Sequence, residues 1–149
     1  MNDTDKIKLI ATNRKANFQY ELITRYEAGI VLLGTEVKSL REAKVNLQES
    51  YAKFIKNELW LINSHISEYK FGNINNHDPL RNRKLLLNKR ELRKIRNQLE
   101  EKGLTLIPVK LYFKGSLIKL EMAIGRGKKL YDKRETIKKR ETERKLKRF

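Results

Sequence analysis

Apolar and polar residues alternate in several short segments of the chain, and this period of two is typical of half-buried β-strands. One such segment places Phe18, Tyr20 and Leu22 on one face. A continuous apolar run between two glycines, AGIVLLG at 28–34, predicts a strand that is buried on both faces. SYAKFI at 50–55 and ELWLINSHI at 58–66 predict two further strands, which flank a tight hairpin turn at Lys56-Asn57.

Two more strands are predicted in the last third of the chain, and their apolar residues again recur at every second position. The first strand carries Ile107, Val109, Leu111 and Phe113 on one face, and the second carries Ile118, Leu120, Met122 and Ile124. Lys114-Gly115-Ser116 lies between them and predicts a hairpin connection.

Two segments have helical rather than strand-like patterns. TEVKSLREAK at 35–44 predicts a short helix. A stronger signal begins at Asn88, which can cap a helix together with Glu91 three residues later, and Gly103 can end it. Its apolar stripe consists of Leu92, Ile95 and Leu99. About six short antiparallel strands with two or three helices predict a mainly β protein with a small closed or partly open barrel.

The charge of the chain changes this picture from a fold to a class of partner. The net charge is +17 and the isoelectric point is about 10.1, so the surface attracts polyanions such as nucleic acid or an anionic membrane. A basic surface without a specific partner is the alternative. There are no cysteines, and no segment approaches the roughly 20 apolar residues of a membrane span. We therefore expect a cytoplasmic protein that binds RNA or DNA and not a membrane.

The C-terminal residues 126–149 have a composition of their own. They contain 12 Lys or Arg against 4 Asp or Glu, a net charge of +8, and very few apolar residues. Such a segment cannot bury enough surface to offset its ordering entropy, so we expect it to be disordered when free. Glu135–Lys139, Glu141–Lys145 and Glu143–Lys147 are spaced for i, i+4 pairs, so we expect it to become helical on a polyanionic surface.

The residues that catalysis would require are scarce. GRGKK at 125–129 departs from the phosphate-loop pattern, because Met122 replaces the first glycine and Lys129 replaces the Ser or Thr. The two histidines, His65 and His77, do not have the spacing of a metal site, and a structural role is expected for His77 beside the Asp78-Pro79 turn. We therefore expect no enzyme, no metal and no cofactor; a small basic nuclease and a general single-strand binder remain as rivals.

The best binding candidate outside the tail is the basic segment PLRNRKLLLNKRE at 79–91. Its Arg81, Arg83 and Lys84 can contact phosphates. The consecutive leucines 85–87 cannot all face inward, so either one is exposed and can pack against a splayed base, or the connection is covered. Glu27 is an acid in a basic chain, and it forms either a surface salt bridge or an acceptor for base amino groups and 2′-hydroxyls. Phe54 and Trp60 are expected in the core.

Several motifs taken together resemble one family, the SmpB family of SsrA-binding proteins. The resemblance begins at about Asn13 and runs in the family's order to the C-terminal tail. It rests on NRKA (13–16), YEAGIVLLGTEVKSLR (26–41), NL and SYA (46–52), WLINSHI (60–66), GN and NHDP (72–79), RKLLLNK (83–89), LYFKG (111–115) and GKKLYDKRE (127–135).

This resemblance implies an oligonucleotide-binding-type β-barrel of about six strands, which binds the tRNA-like domain of tmRNA in trans-translation. It divides the chain into an extension at 1–12, the tmRNA-binding domain at 13–125 and the basic tail at 126–149. The implied elbow contacts are Asn13, Arg14, Glu27, Leu86 and Asn88. Lys15, Arg81, Arg83 and Lys84 complete the predicted tmRNA-binding set.

The resemblance also implies a role for the tail. It is expected to cross the decoding centre of 16S rRNA and to enter the empty mRNA channel of a stalled ribosome, with Tyr131 stacking on an rRNA base. The predicted ribosome-binding residues are Lys128, Lys129, Tyr131, Asp132, Lys133, Arg134, Lys138, Lys139 and Arg140. The implied partners are tmRNA and the ribosome, with indirect links through tmRNA to elongation factor Tu and alanyl-tRNA synthetase. The protein is expected to be a monomeric adaptor.

Overall fold

The computed structural model describes residues 6–72 and 75–128, which form nine strands and three helices. The helices are α1 (Arg14–Gln19), α2 (Gly34–Arg41) and α3 (Lys89–Leu99). The strands are β1 (Ile7–Thr12), β2 (Tyr20–Ile30), β3 (Val45–Asn46), β4 (Tyr51–Ile55), β5 (Glu58–Ile62), β6 (His65–Ile66), β7 (Arg83–Leu86), β8 (Leu104–Lys114) and β9 (Leu117–Gly127).

Six of these strands form a closed antiparallel ring. Their order is β8-β4-β5-β7-β2-β9, and β9 pairs again with β8 to complete the circuit. The strand β1 is added outside the ring through its pairing with β8, and β3 with β6 forms a separate two-stranded sheet. The expected mainly β class with about six principal strands is therefore confirmed. Ring closure also gives each of the six strands a partner on both sides.

Alternation in the β8–β9 hairpin separates the inside of the ring from its outside. Leu111 of β8 lies opposite Leu120 of β9, which lies opposite Ala28 of β2, and all three are buried. This row faces the core, so the alternate residues of the same strands face outward. The predicted turns are also present: Gly115 has a positive φ of 63° in the β8–β9 connection, and Lys56 and Asn57 have φ values of 49° and 70° between β4 and β5.

Helix α3 packs its apolar side against the core of the ring. Its first turn is capped by Asn88, whose side-chain oxygen accepts a hydrogen bond from the Glu91 N–H group at 2.8 Å, as the sequence predicts. Ile95 is completely buried, and Leu92 and Leu99 pack against the core. An 11-residue helix is only marginally stable by itself in water, and burying an isoleucine of this kind stabilises it by about 1.5–3 kcal/mol.

The structure departs from the sequence predictions at several places, and one of them is the predicted strand at 58–66, which is divided into β5 and β6. The predicted strand at 28–34 ends at Ile30, because the Leu33 N–H group donates to Glu36 Oε1 at 2.7 Å and so begins α2 instead. Phe18 lies in α1 rather than in a strand, because β2 begins only at Tyr20. Residues 7–12 of the predicted extension form β1, and β9 continues two residues beyond residue 125, the predicted end of the tmRNA-binding domain.

Candidate RNA interface

One row of residues crosses five strands on the outer face of the sheet. In order from β1 to β7 it comprises Leu9, Tyr112, Lys119, Gly29 and Leu86, each of which is the register partner of the next. The two ends of the row are apolar and exposed, with Leu9 at 56% and Leu86 at 50%. Gly29 has no side chain, and the Cβ and Cδ1 atoms of Leu86 lie 3.4 and 3.7 Å from the position that a Cβ would take there. This surface combines apolar contact positions with a lysine.

Glu27 lies two residues before Gly29 and therefore on the same outer face. The Tyr112 hydroxyl donates a hydrogen bond to Glu27 Oε2, and Lys114 Nζ lies 3.3 Å from Oε1. The side chain of Glu27 is nevertheless 38% exposed. The sequence leaves two roles open for Glu27, a surface salt bridge and an acceptor for RNA groups. The salt bridge is present, and because the carboxylate is partly exposed, some of its lone pairs remain accessible to a ligand.

The surroundings of Glu27 favour its ionised form. The hydrogen bond from Tyr112 lowers the pKa of Glu27, the partial burial of the carboxylate opposes this, and Lys114 and Lys119 lower the pKa further. Burial and the bond to Glu27 raise the pKa of Tyr112, so the phenol remains a donor. At neutral pH this cluster therefore presents an acceptor-only carboxylate within a basic surface, which suits a 2′-hydroxyl or a base amino group.

Leu86 lies on β7, which pairs with the strand of Glu27, and Asn88 follows it at the start of α3. Leu86 pairs with Gly29, and the antiparallel direction of β7 carries the chain on towards Glu27. Of the three consecutive leucines at 85–87, the middle one is the most exposed: Leu85 is buried, whereas Leu86 is half exposed. Asn88 is exposed, and its oxygen is used by the cap of α3, which leaves the amide N–H group able to donate to a ligand.

Arg83 does not lie on the surface, and this corrects its predicted role as a phosphate contact. Its side chain is completely buried, where Nε donates to Glu36 Oε2 at 2.6 Å and Nη1 donates to the Ser64 carbonyl at 2.9 Å. Arg81 also donates to Glu36, at 2.6 Å, and keeps 29% of its side chain exposed. Burial opposes ionisation of Glu36, but Arg81, the Leu33 N–H group and Arg83 outweigh it and lower its pKa.

The cluster formed by Glu36, Arg81 and Arg83, here called the buried ion cluster, joins α2 to β7. Arg83 Nη2 donates to the Pro79 carbonyl at 3.2 Å, and Arg81 Nη2 donates to the Val31 carbonyl at 3.2 Å. The segment that leads to Leu86 is thereby held against the start of α2. The side chain of Lys84, in contrast, is 41% exposed and pairs with Glu58 at 3.4 Å, so it can still reach a phosphate.

Asn13, Arg14 and Lys15 lie where β1 ends and α1 begins. Asn13 is buried and anchored to β8: its backbone N–H group donates to the Val109 carbonyl and its Nδ2 donates to the Pro108 carbonyl. Asn13 thus fixes the junction, and its Oδ1 atom is buried without a hydrogen-bond partner among the described residues, so its predicted contact with tmRNA stays a prediction. Arg14 is exposed, and Lys15 pairs with Glu49 at 2.9 Å. These two cations are candidate phosphate contacts at this junction.

His77 has the structural role that the sequence predicts. Its Nε2–H group donates to the Ile66 carbonyl at 2.9 Å, so Nδ1 accepts from the Thr35 hydroxyl at 2.8 Å. Within residues 6–72 and 75–128, no group of three or more His, Cys, Asp or Glu side chains is placed to hold a metal ion. Over the same residues, no helix is long and apolar enough to span a membrane.

The described part of the tail ends at Lys128. The Lys128 N–H group donates to the Gln19 carbonyl and its Nζ donates to the Asn17 carbonyl, both at 2.8 Å, so the tail leaves the body beside α1. The other predicted ribosome contacts lie outside the described residues: Lys129, Tyr131, Asp132, Lys133, Arg134, Lys138, Lys139 and Arg140.

Two residues of these clusters were missed from the sequence. Tyr112 stands between the inward-facing Leu111 and Phe113, so strand alternation alone places it on the outer face. There it lies between Lys110 and Lys114 along the strand, and a tyrosine among polar residues could have indicated a functional role. Glu36 occupies the third position of a helix, where a carboxylate accepts from the cap N–H group. Its two arginine partners are 45 and 47 residues away, and no local pattern predicts them.

Comparison with known proteins gives matches over nearly the whole chain. A family model described as SmpB protein matches residues 10–149. An SsrA-binding protein of Trichodesmium erythraeum is 54% identical over 142 residues, which cover 95% of this chain and 91% of that protein. An SsrA-binding protein of Thermosynechococcus vestitus is 52% identical and covers 97% of this chain and 95% of its own.

A solved structure matches the fold as well as the sequence. It is described as "tmRNA-SmpB: a journey to the center of the bacterial ribosome", and its matching chain has a TM-score of 0.69 and 47% identity. The match covers 85% of this chain and 93% of that chain.

Proposed function

Because the chain belongs to the SmpB family, we propose that it binds the tRNA-like domain of tmRNA, also called SsrA RNA, and delivers it to stalled bacterial ribosomes for trans-translation. The relatives are SsrA-binding proteins, and the similar solved chain belongs to a tmRNA–SmpB system on the ribosome. The net charge of +17 supports an RNA partner, since it supplies sequence-independent attraction to phosphates.

The observation that carries the proposal is the exposed carboxylate of Glu27 beside Leu86 on a basic sheet face. A polycation alone binds any RNA, whereas an ionised carboxylate repels phosphates and accepts hydrogen bonds only from correctly placed donors. Glu27 thus selects for a folded RNA that presents a 2′-hydroxyl or amino group there. Leu86 offers an apolar contact to an unstacked base, and Asn88, Arg14, Lys15, Arg81 and Lys84 add polar and phosphate contacts.

The tail supplies the second half of the proposed function. Residues 126–149 carry a net charge of +8 and lack the apolar residues to fold alone. An mRNA channel that already holds message excludes this segment by volume, while an empty channel offers free rRNA phosphates. Folding of the tail in the empty channel would convert the absence of message into a signal for accommodation. In this scheme the protein makes and breaks no bond and acts as an adaptor rather than an enzyme.

The remaining partners follow from this scheme. Elongation factor Tu and alanyl-tRNA synthetase are proposed to meet the protein only through the shared tmRNA. We expect a monomer that acts in the cytoplasm, where the ribosomes are.

The test is a reconstituted tagging reaction on ribosomes stalled at the end of a truncated message. The full chain should support addition of the tmRNA-encoded tag, and RNA recovered with the protein from its own cells should be dominated by tmRNA. A chain that binds tmRNA no better than an unstructured RNA would contradict the proposal and favour a general single-strand binder.

A further inference from the structure

We propose that Tyr112 is a positioning residue for RNA binding, because its hydroxyl holds the carboxylate of Glu27 in the orientation in which it accepts hydrogen bonds from the RNA. This inference rests on the proposed function and adds to it a residue from another strand.

The geometry of the sheet gives Tyr112 this role. Tyr112 lies on β8 and Glu27 lies on β2, and the strand β9 runs between them with Lys119 as the direct neighbour of Tyr112. The tyrosine side chain reaches diagonally across β9, and its hydroxyl donates to Glu27 Oε2. Tyr112 is only 8% exposed, while the side chain of Glu27 is 38% exposed. The buried tyrosine hydroxyl therefore fixes one oxygen of the Glu27 carboxylate, while the carboxylate itself remains accessible to solvent.

The charged groups around Glu27 make this hold significant. Lys110 and Lys114 lie on β8, Lys119 and Glu121 lie on β9, and Glu121 is the register partner of both Glu27 and Lys110. Arg25 on β2 pairs with Glu121 at 3.6 Å, and the neighbour from β7 is the apolar Leu86. Like charges opposite each other in a sheet repel, so the Glu27 carboxylate without a donor would turn towards Lys114 or the solvent.

The hydroxyl also affects the protonation of Glu27. An ionised carboxylate only accepts hydrogen bonds, so the Tyr112 hydroxyl is the donor in this contact. That bond is the main cause of the lowered pKa of Glu27, and burial and Glu27 raise the pKa of Tyr112. Removing the hydroxyl should move the pKa of Glu27 upward. The acid loss of RNA affinity should then begin at a higher pH.

The experiment compares the full chain with Tyr112→Phe, Glu27→Gln and the double variant, using the isolated tRNA-like domain of tmRNA in equilibrium titrations at fixed salt. Tyr112→Phe should weaken binding about tenfold, the size expected for a hydrogen bond to a charged group. The double variant should bind as weakly as Glu27→Gln alone, because Tyr112 acts through Glu27. A penalty of the same size in both backgrounds would overturn the inference.

A matched control separates positioning from loss of folding. Tyr26→Phe also removes a tyrosine hydroxyl, which donates to Gln98 Oε1 at 2.5 Å and not to Glu27. It should leave tmRNA affinity within about twofold, and equal losses for both tyrosines would contradict a specific role for Tyr112.

Carboxyl-carbon NMR of the RNA-free protein supplies a readout that does not depend on the proposed function. The titration midpoint of Glu27 should rise in Tyr112→Phe and stay unchanged in Tyr26→Phe. An unchanged midpoint in Tyr112→Phe would overturn the inference. Failure of the wild-type chain to prefer tmRNA would instead overturn the proposed function, and the two failures are distinguishable because the second is measured before any variant is made.

Discussion

Replacing Glu36 by glutamine would leave a buried arginine without its counter-charge. Glutamine keeps the size of the side chain and an oxygen that can still accept from the Leu33 N–H group. It removes the negative charge that both Arg81 and Arg83 face at 2.6 Å. The segment that leads to Leu86 is held by this buried ion cluster, so the substitution tests whether the cluster stabilises the fold.

The expected cost follows from burial. Glu36 and Arg83 are both 0% exposed, so after the substitution Arg83 keeps only neutral partners, the Ser64 and Pro79 oxygens. Breaking a buried pair from one side costs about 3–5 kcal/mol, because the remaining charge is desolvated and uncompensated. For a domain of this size each kcal/mol lowers the melting temperature by about 2–4 °C, which gives a decrease of roughly 6–20 °C.

Chemical and thermal unfolding followed by circular dichroism would measure this loss. The matched control is Glu58→Gln, because Glu58 pairs with Lys84 at the surface at 3.4 Å and its removal should change stability by at most about 0.5 kcal/mol. A loss below about 1 kcal/mol for Glu36→Gln would refute the reasoning, since it would mean that the buried arginine needs no counter-charge.

The stabilisation of the fold by the Glu36–Arg83 pair should depend on pH. The pKa of Glu36 is lowered in the folded protein, so the ionised pair stabilises the fold above the unfolded pKa of about 4.3. This stabilisation should be lost as the pH falls through the lower, folded pKa. In Glu36→Gln the acid part of the stability profile should be flatter than in the wild type.

Three further predictions concern binding and function. In a filter-binding titration, Glu27→Lys should weaken tmRNA binding by about tenfold or more although it adds positive charge, whereas Glu100→Lys at an exposed position should not weaken it. Tighter tmRNA binding by Glu27→Lys would contradict the acceptor role. Leu86→Ala should weaken tmRNA binding by about 1 kcal/mol at nearly unchanged melting temperature, whereas Leu80→Ala, at a similarly exposed leucine, should not, and isothermal titration of both variants would decide. A chain ending at Lys128 keeps β9 whole and should bind tmRNA normally but fail in the tagging reaction; loss of tmRNA binding would disprove the division into body and tail.

The sequence predicts the local elements of this fold well, because their signals lie within a few residues. The alternation along β9, the turn at Gly115 and the Asn88 cap all depend on neighbours in the chain, and the structure has these three features. The predicted common face of β8 is wrong, because a bulge between Pro108 and Lys110 interrupts the alternation and both Leu106 and Leu111 lie in the core. The exception at 28–34 is also local: an apolar run predicts a strand, but capping by Glu36 turns the chain into α2 after Ile30.

The candidate site was only partly predictable, because burial of a charged residue depends on distant partners. Arg81, Arg83 and Lys84 are equivalent in sequence, yet Arg83 points inward because Glu36 is buried there, and Lys84 remains at the surface. Tyr112 and Glu27 are 85 residues apart, and only the ring closure through β9 brings them together. Strand alternation predicts which face each occupies, but not which residues meet.

The central claim is that this chain recognises folded tmRNA and not simply RNA charge. Its most direct test is a competition, at about 150 mM salt, between the tRNA-like domain of tmRNA and an unstructured RNA of equal length, because surface charge attraction is strongly screened there. The account predicts a preference for tmRNA of at least about 100-fold in the wild type, most of which is lost in Glu27→Lys. Equal affinity of the wild-type chain for the two RNAs would contradict it.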